Sequence, residues 1–385
     1  MTDWNKIRQD FPVTRNCAYF LSSAMSPLPR PVFNRITAEY RKLVEDGDIH
    51  WSEDMRTYQA LCRDLALHLK AGPDDLIFAP NSSTAMAILG LSLQKHAPAG
   101  FNIVTLQDEF PASTVPFEHL GIPLRCAQPV DGRYTVSSIL DQADRNTLAV
   151  VASYVQYATG FRLDVAGLGR ELAGRGILFL VNATQGFPYY PLDVEAMRIA
   201  ALTASLHKWG LTGYVGALFY TAPSFRERFP TPLAGWLSVD TEGAGFIHTA
   251  KNVPFKLHSS ARQYEFGTTN LQPLLAFQEA FDYIKRIGFE AIRLRIRELT
   301  DYLLQGLRGL GVEVVSPVDD PDERSAIVSF TLGDRNELCF KRCTEAQVYL
   351  SPRAGFLRVS VNIFNDLADI DRLLAVLKEI KQAAG

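Results

Sequence analysis

No stretch of this 385-residue chain is long and apolar enough to serve as a membrane helix, which needs roughly 18 such residues. The opening Met1-Thr2-Asp3-Trp4-Asn5 lacks a basic patch followed by an apolar stretch. These two absences lead us to expect a cytoplasmic protein with no membrane partner. An excess of charge of one sign is also lacking. Thirty-nine Lys and Arg stand against forty-two Asp and Glu, a formal net charge of −3, so no field is tuned to a polyanion and nucleic acid is not an expected partner. Cysteine is scarce. Cys17, Cys62, Cys126, Cys339 and Cys343 are odd in number and scattered, which argues against a disulfide framework and against a CxxC metal site. They read as buried reduced thiols, with one catalytic thiol as the alternative. Internal repeats and low-complexity linkers are absent too, so any domains should pack closely.

What remains is an ordinary globular balance, 47% hydrophobic, 11% aromatic and 21% charged. The length suits one large domain and a smaller one. Pro31 to Val44 and Trp51 to Leu69 carry apolar residues at helical spacing, and the second run stops at Ala71-Gly72-Pro73. Short apolar strands follow at Leu76–Ala79, Asn102–Thr105, Leu148–Ser153, Ile177–Val181, Leu202–Ala204 and Gly216–Tyr220. Their near-continuous Val, Ile and Leu predicts strands covered on both faces, hence a mostly parallel sheet that binds ligands at the carboxyl ends of its strands. Beyond Leu271 the rhythm changes. Leu274 to Gly311 reads as a long helical region interrupted at Ile287-Gly288, followed by strands at Val312–Val315, Ala326–Thr331, Gln347–Leu350 and Leu357–Val361 and a last helix from Leu367 to Ala384. That order describes an α+β unit.

Three strand ends carry chemistry. Thr203-Ala204-Ser205-Leu206-His207-Lys208 leaves a strand and presents a hydroxyl, an imidazole and an amine, a set that suits an aldehyde cofactor and its phosphate. A His-Lys pair alone is far more often a solvated loop. Ile177 to Gln185 delivers Asn182 and Gln185 at the end of an apolar strand. Asn81-Ser82-Ser83-Thr84 opens a helix, where hydroxyls and free N–H groups make either a simple cap or an anion cradle.

In order along the chain, Tyr19–Ala24, Asn81–Ala85, Glu109–Ala112, Val155–Gly160, Val181–Gln185, Ser205–Lys208, Glu265–Thr268 and Leu357–Ser360 resemble the class V aminotransferases of fold type I. These enzymes use pyridoxal 5'-phosphate (PLP) and include cysteine desulfurases, kynureninases and isopenicillin N epimerase. The resemblance implies an α/β fold with an N-terminal arm (1–20) packed on the smaller domain, a large PLP-binding domain (21–270) and a small C-terminal α+β domain (271–385). It implies Lys208 as the Schiff-base lysine and general base, and Ser82, Ser83, Ser205 and His207 as phosphate ligands. Phe110 would lie over the pyridine ring and Gln185 at its phenolic oxygen. Arg358 would pair with the carboxylate of a small amino-acid substrate. Tyr157 falls near the cofactor, as a contact or as core packing. Thr268 would reach the phosphate of the neighbouring subunit in a homodimer.

Three departures bear on the reaction. Asn182 stands where the family carries an Asp that keeps the ring nitrogen protonated, whereas an amide N–H donates only to an unprotonated nitrogen. A chemistry needing less carbanion stabilisation, a natural loss of turnover that leaves a PLP-binding protein, and an Asp-to-Asn change made to trap a complex each account for it. Leu350-Ser351-Pro352-Arg353-Ala354-Gly355-Phe356 reaches Arg358 without a loop cysteine, which argues against cysteine desulfurase chemistry. Leu21-Ser22-Ser23-Ala24-Met25 departs from the family's usual N-terminal pattern, so no relative's substrate transfers directly. Amino transfer or α,β-lyase chemistry is the expectation, with amino-acid epimerisation as the alternative.

Overall fold

In the computed structural model, which describes residues 2–241 and 255–382, the chain begins with α1 (Trp4–Gln9) and the short strand β1 (Ala18–Tyr19). Helix α2 (Arg30–Asp46) has Pro31 in its first turn, where no intrahelical N–H is needed, and ends on Gly47 at φ +62°. Helix α3 (Trp51–Leu69) ends where Lys70 turns left-handed.

Strand and helix then alternate. The order is β2 (Leu76–Ala79), α4 (Ser82–His96), β3 (Asn102–Leu106), α5 (Val115–His119), β4 (Leu124–Ala127), α6 (Val136–Leu140), β5 (Thr147–Ser153) and α7 (Val165–Gly174). It continues with β6 (Leu178–Asn182), β7 (Ala201–Ser205), β8 (Ala217–Thr221) and α8 (Pro223–Arg228). These strands form a seven-stranded sheet in the order β2-β8-β7-β6-β5-β3-β4. Strand β8 runs antiparallel to both neighbours, and the β7-β6-β5-β3-β4 run is parallel throughout. Leu76 and Phe78 of β2 enter one hydrophobic cluster while Ile77 and Ala79 enter the other. That two-sided burial is why the strands read as continuous apolar runs. Strand β4 had no such signal. It is an edge strand, with Arg125 exposed and Leu124 and Cys126 only half-buried.

A small ribbon pairs β9 (Val239–Asp240) with β10 (Lys256–Leu257). The expected long helical region is two helices, α9 (Leu271–Ile287) and α10 (Phe289–Gly309), hinged where Gly288 adopts φ +92°. Then follow β11 (Glu313–Val314), β12 (Ile327–Thr331), α11 (Asn336–Glu345), β13 (Val348–Tyr349), β14 (Ser351–Arg353), β15 (Phe356–Ser360) and α12 (Leu367–Gln382). An antiparallel sheet runs β11-β12-β15-β14. The strand expected over Gln347–Leu350 is β13, which pairs with β1, and the residues that follow it form the β14–β15 hairpin. The end of the helix expected to reach Ala384 lies outside the described residues.

The first twenty residues are tied to the C-terminal elements of the chain. Strand β1 pairs in parallel with β13, and Arg8 donates two bonds to the Asp369 carboxylate at 2.7 and 2.9 Å. Phe11 is fully buried against Phe364, with ring centroids 4.8 Å apart. No helix among the described residues is long and apolar enough to cross a membrane.

Candidate active site

The carboxyl ends of β5, β6 and β7 lie side by side, since Ser153 pairs with Asn182 and Asn182 with Thr203. Sheets of this kind bind ligands at such an edge. Ser82, Phe110, Asn182, Gln185, Ser205 and Lys208 line one small pocket there, and Tyr157 forms part of its wall.

Its floor is a knot of hydroxyls. Ser82, the first residue of α4, lies 2.7 Å from the Ser205 Oγ and 3.4 Å from the Thr184 Oγ1, and the Thr203 hydroxyl donates to it at 3.3 Å. The Asn81 side chain caps the helix by accepting from Thr84 N–H at 2.8 Å. Donors gathered at the N-terminus of a 15-residue helix make a site for a phosphate-sized anion. Ser83 is exposed and outside the pocket wall. His207 lies against Tyr214, with centroids 4.9 Å apart. Burial, with help from the Lys208 charge, pushes its imidazole down to about 4, so it is neutral and offers an N–H rather than a positive charge.

Lys208 hangs over the pocket with its Nζ 5.3 Å from the Phe110 ring centroid. Phe110 itself packs edge-on against Tyr157 at 5.3 Å. Among the described residues Lys208 has no hydrogen-bonded or acidic partner. Burial, then Arg358, then Arg353 lower its ammonium to about 8. A group whose pKa falls spends more of its time neutral, and only the neutral amine attacks a carbonyl. The rate at which the unloaded protein captures PLP, followed by stopped-flow absorbance, should therefore climb with pH through a midpoint near pH 8 and level off above it. A midpoint near the ordinary lysine value of about 10 would remove the special status of Lys208.

Asn182 and Gln185 each keep a hydrogen for the pocket. The Asn182 Oδ1 accepts from Thr184 N–H at 3.1 Å while its Nδ2 donates to the Ser113 Oγ at 3.0 Å. The Gln185 Nε2 donates to the Ser23 carbonyl at 3.0 Å, and its Oε1 accepts from the Trp209 indole at 2.8 Å. Each amide nitrogen has two hydrogens and spends one of them on these contacts. Behind them sits Glu109, a residue without an assigned role in the sequence. Its carboxylate accepts from the backbone N–H and the hydroxyl of Ser153 at 2.5 and 2.6 Å. Burial raises it to about 7 against the pull of donors that include Ser113. Thr184 was also overlooked, although it lies inside the Asn182–Gln185 motif and faces the hydroxyl knot.

Arg358, on β15, is 2% exposed. Its Nη1 donates to the Tyr157 carbonyl at 2.5 Å and its Nε to the Ser351 Oγ at 3.3 Å, so the second sheet holds this guanidinium beside the Lys208 amine. Gly160 brings the two sheets together there: it adopts φ +75°, and a Cβ would stand 2.3 Å from the Ile327 carbonyl oxygen. Thr268 is not brought to this pocket. It is exposed and lines a separate cleft with Trp51, Met55, Phe78, Phe266 and Leu271.

The aminotransferase class-V family model matches residues 18–373. A probable cysteine desulfurase of Pyrococcus abyssi is 25% identical over 97% of this chain and 96% of its own length. The isopenicillin N epimerase of Amycolatopsis lactamdurans is 27% identical over 99% of both chains. The apo structure of a cysteine desulfurase from Thermococcus onnurineus superposes with a TM-score of 0.90 over 100% of this chain and 99% of that one, at 21% identity, and shares the fold.

Proposed function

The chain belongs to the class-V aminotransferases, a PLP-dependent enzyme family of fold type I, and from that premise we propose that it acts on a small amino acid through Lys208, by amino transfer or α,β-elimination. The observation that carries the reading is the Lys208 amine, lowered to about 8 and without a hydrogen-bonded or acidic partner among the described residues, beside a hydroxyl-lined helix N-terminus. These residues fit PLP: an anion seat, an amine that loses its proton more readily than an ordinary lysine and an aromatic ring surround one pocket. Bound there, PLP supplies an aldehyde that reacts with amines and a ring that accepts electrons from the substrate α-carbon.

The rest is supplied by the chain. Ser82 and Ser205 would bind the phosphate through their hydroxyls and Ser83 through its free backbone N–H in the first turn of α4, with His207 contributing a neutral N–H. Phe110 would cover the ring face. Asn182 and Gln185 would donate their remaining N–H groups to the ring nitrogen and the phenolic oxygen. Arg358 would bind the substrate carboxylate, which a planar two-pronged donor suits. Lys208 would remove the α-proton, and Tyr157 would shape the wall. An amide at position 182 would donate to an unprotonated ring nitrogen, which would make the ring a weaker electron sink than a carboxylate there would. Epimerisation is the second reading, supported by the full-length similarity to isopenicillin N epimerase. The same proposal gives the chain a cytoplasmic location, boundaries after residues 20 and 270, and a homodimer in which Thr268 reaches the neighbouring subunit's phosphate.

Persulfide chemistry we place outside this reading, although cysteine desulfurases are among the similar proteins. Cys343 is fully buried on α11 with its sulfur 3.9 Å from that of Cys339, which turns it inward. The test is an amino-acid panel on PLP-loaded protein, read for keto acid, ammonia, sulfide and α-hydrogen exchange in D2O. We expect keto-acid formation, with Cys343→Ala releasing as much product as the parent. Exchange with inversion and no net product would favour the epimerase reading, and sulfide release abolished by Cys343→Ala would overturn the exclusion.

A further inference from the structure

Lys208, Arg358 and Arg353 form a group of cations with no acid among them. The register of β14 against β15 sets Ser351 opposite Arg358 and Arg353 opposite Phe356. Opposed residues of an antiparallel pair share a face, as do residues two apart along a strand. Arg353 is therefore the diagonal neighbour of Arg358 on one face, a spacing of about 7–8 Å. The 3.3 Å contact between the Arg358 Nε and the Ser351 Oγ marks that face.

Among the described residues the Arg353 guanidinium bonds only the Pro352 carbonyl, at 2.8 Å, and neither Arg353 nor Arg358 has an acidic partner. Other arginines of this region do: Arg324 pairs with Asp301 and Arg342 with Glu345. After burial, Arg353 is the next cause of the fall of Arg358 to about 10, and it adds to the lowering of Lys208 after burial and Arg358. Like charges side by side on a sheet face are unfavourable unless an anion joins them. The α-carboxylate of an amino acid answers only one of the two guanidiniums. Arg353 is exposed, at the tip where Ala354 and Gly355 turn the hairpin at φ +50° and +83°. Arg358 is buried and Arg353 is the exposed member of the pair, so a substrate whose carboxylate is held by Arg358 has Arg353 as its next cation on that face.

We propose that Arg353 binds an anionic group on the substrate side chain, so that the substrate class is acidic α-amino acids. This rests on the assignment of Arg358 to the α-carboxylate. The test compares kcat/KM for aspartate and glutamate with their neutral isosteres asparagine and glutamine, in PLP-loaded wild-type protein, Arg353→Gln and Arg353→Lys. Wild-type protein should prefer each acid over its amide by about tenfold, the value of a hydrogen bond to a charged group. Arg353→Gln should erase that ratio, Arg353→Lys should restore part of it, and added salt should narrow it. An acid-to-amide ratio near one in the wild type, or a ratio unmoved by Arg353→Gln, overturns the inference while leaving the Arg358 assignment standing. Turnover of none of the four overturns both together.

Discussion

Replacing Lys208 by alanine is expected to lower turnover by roughly 10³-fold, within the range that a positioned proton-transfer group contributes, with no loss of stability. The two halves of this expectation have one origin. Lys208 is mostly buried and has no hydrogen-bonded or acidic partner among the described residues. A buried charge without a partner is a cost to the fold, so its removal should leave the melting temperature level or raise it. A lysine kept for structure gives the opposite pattern, with activity and melting temperature falling together. Both should be measured on the same preparation, with PLP present and absent.

Arg358→Lys should lower kcat/KM by roughly 10²-fold, with most of the loss in KM, because breaking a buried charge pair to a substrate costs about 2–5 kcal/mol. Lysine keeps the charge and loses the fork. The Arg358 guanidinium already spends its Nη1 on the Tyr157 carbonyl and its Nε on Ser351; those anchors aim the remaining donors at the pocket. A lysine ammonium has neither the anchors nor the second prong. The penalty should shrink for amino-acid amides, which have no α-carboxylate to lose. An equal penalty for acids and amides would reassign Arg358 to holding the Tyr157 loop against β15.

The residues that built this site differ in how legible they were. Strands β2, β3, β5 and β8 are buried along their whole length, so their apolar runs announced a two-sided sheet and, with it, the edge where Asn182 and Ser205 sit. Lys208 and Ser82 stood out because each follows such a strand. Strands β4 and β14 were not legible, since an edge strand and a three-residue strand leave no apolar run, whereas β15 was read at Leu357–Val361. Glu109 was hidden for another reason. Its place is fixed by Ser153, 44 positions away, and no local pattern encodes a partner at that distance. The same holds for Arg353, whose neighbourhood with Arg358 depends on the hairpin register, and for the bond by which the Tyr157 carbonyl anchors Arg358 across 201 positions, although the motif around Tyr157 had placed that residue near the cofactor. Ser83 shows the converse: its sequence signal equals that of Ser82, yet the helix turns it to solvent.

The central claim is that Lys208 is the residue that carries PLP. Loading the protein with PLP, reducing with borohydride and mapping the peptides by mass spectrometry reads it directly. The account predicts a single modified peptide, the one containing Lys208, together with loss of the visible absorption in Lys208→Ala. A stable adduct on any other lysine, or a Lys208→Ala protein that still traps the cofactor covalently, would contradict it.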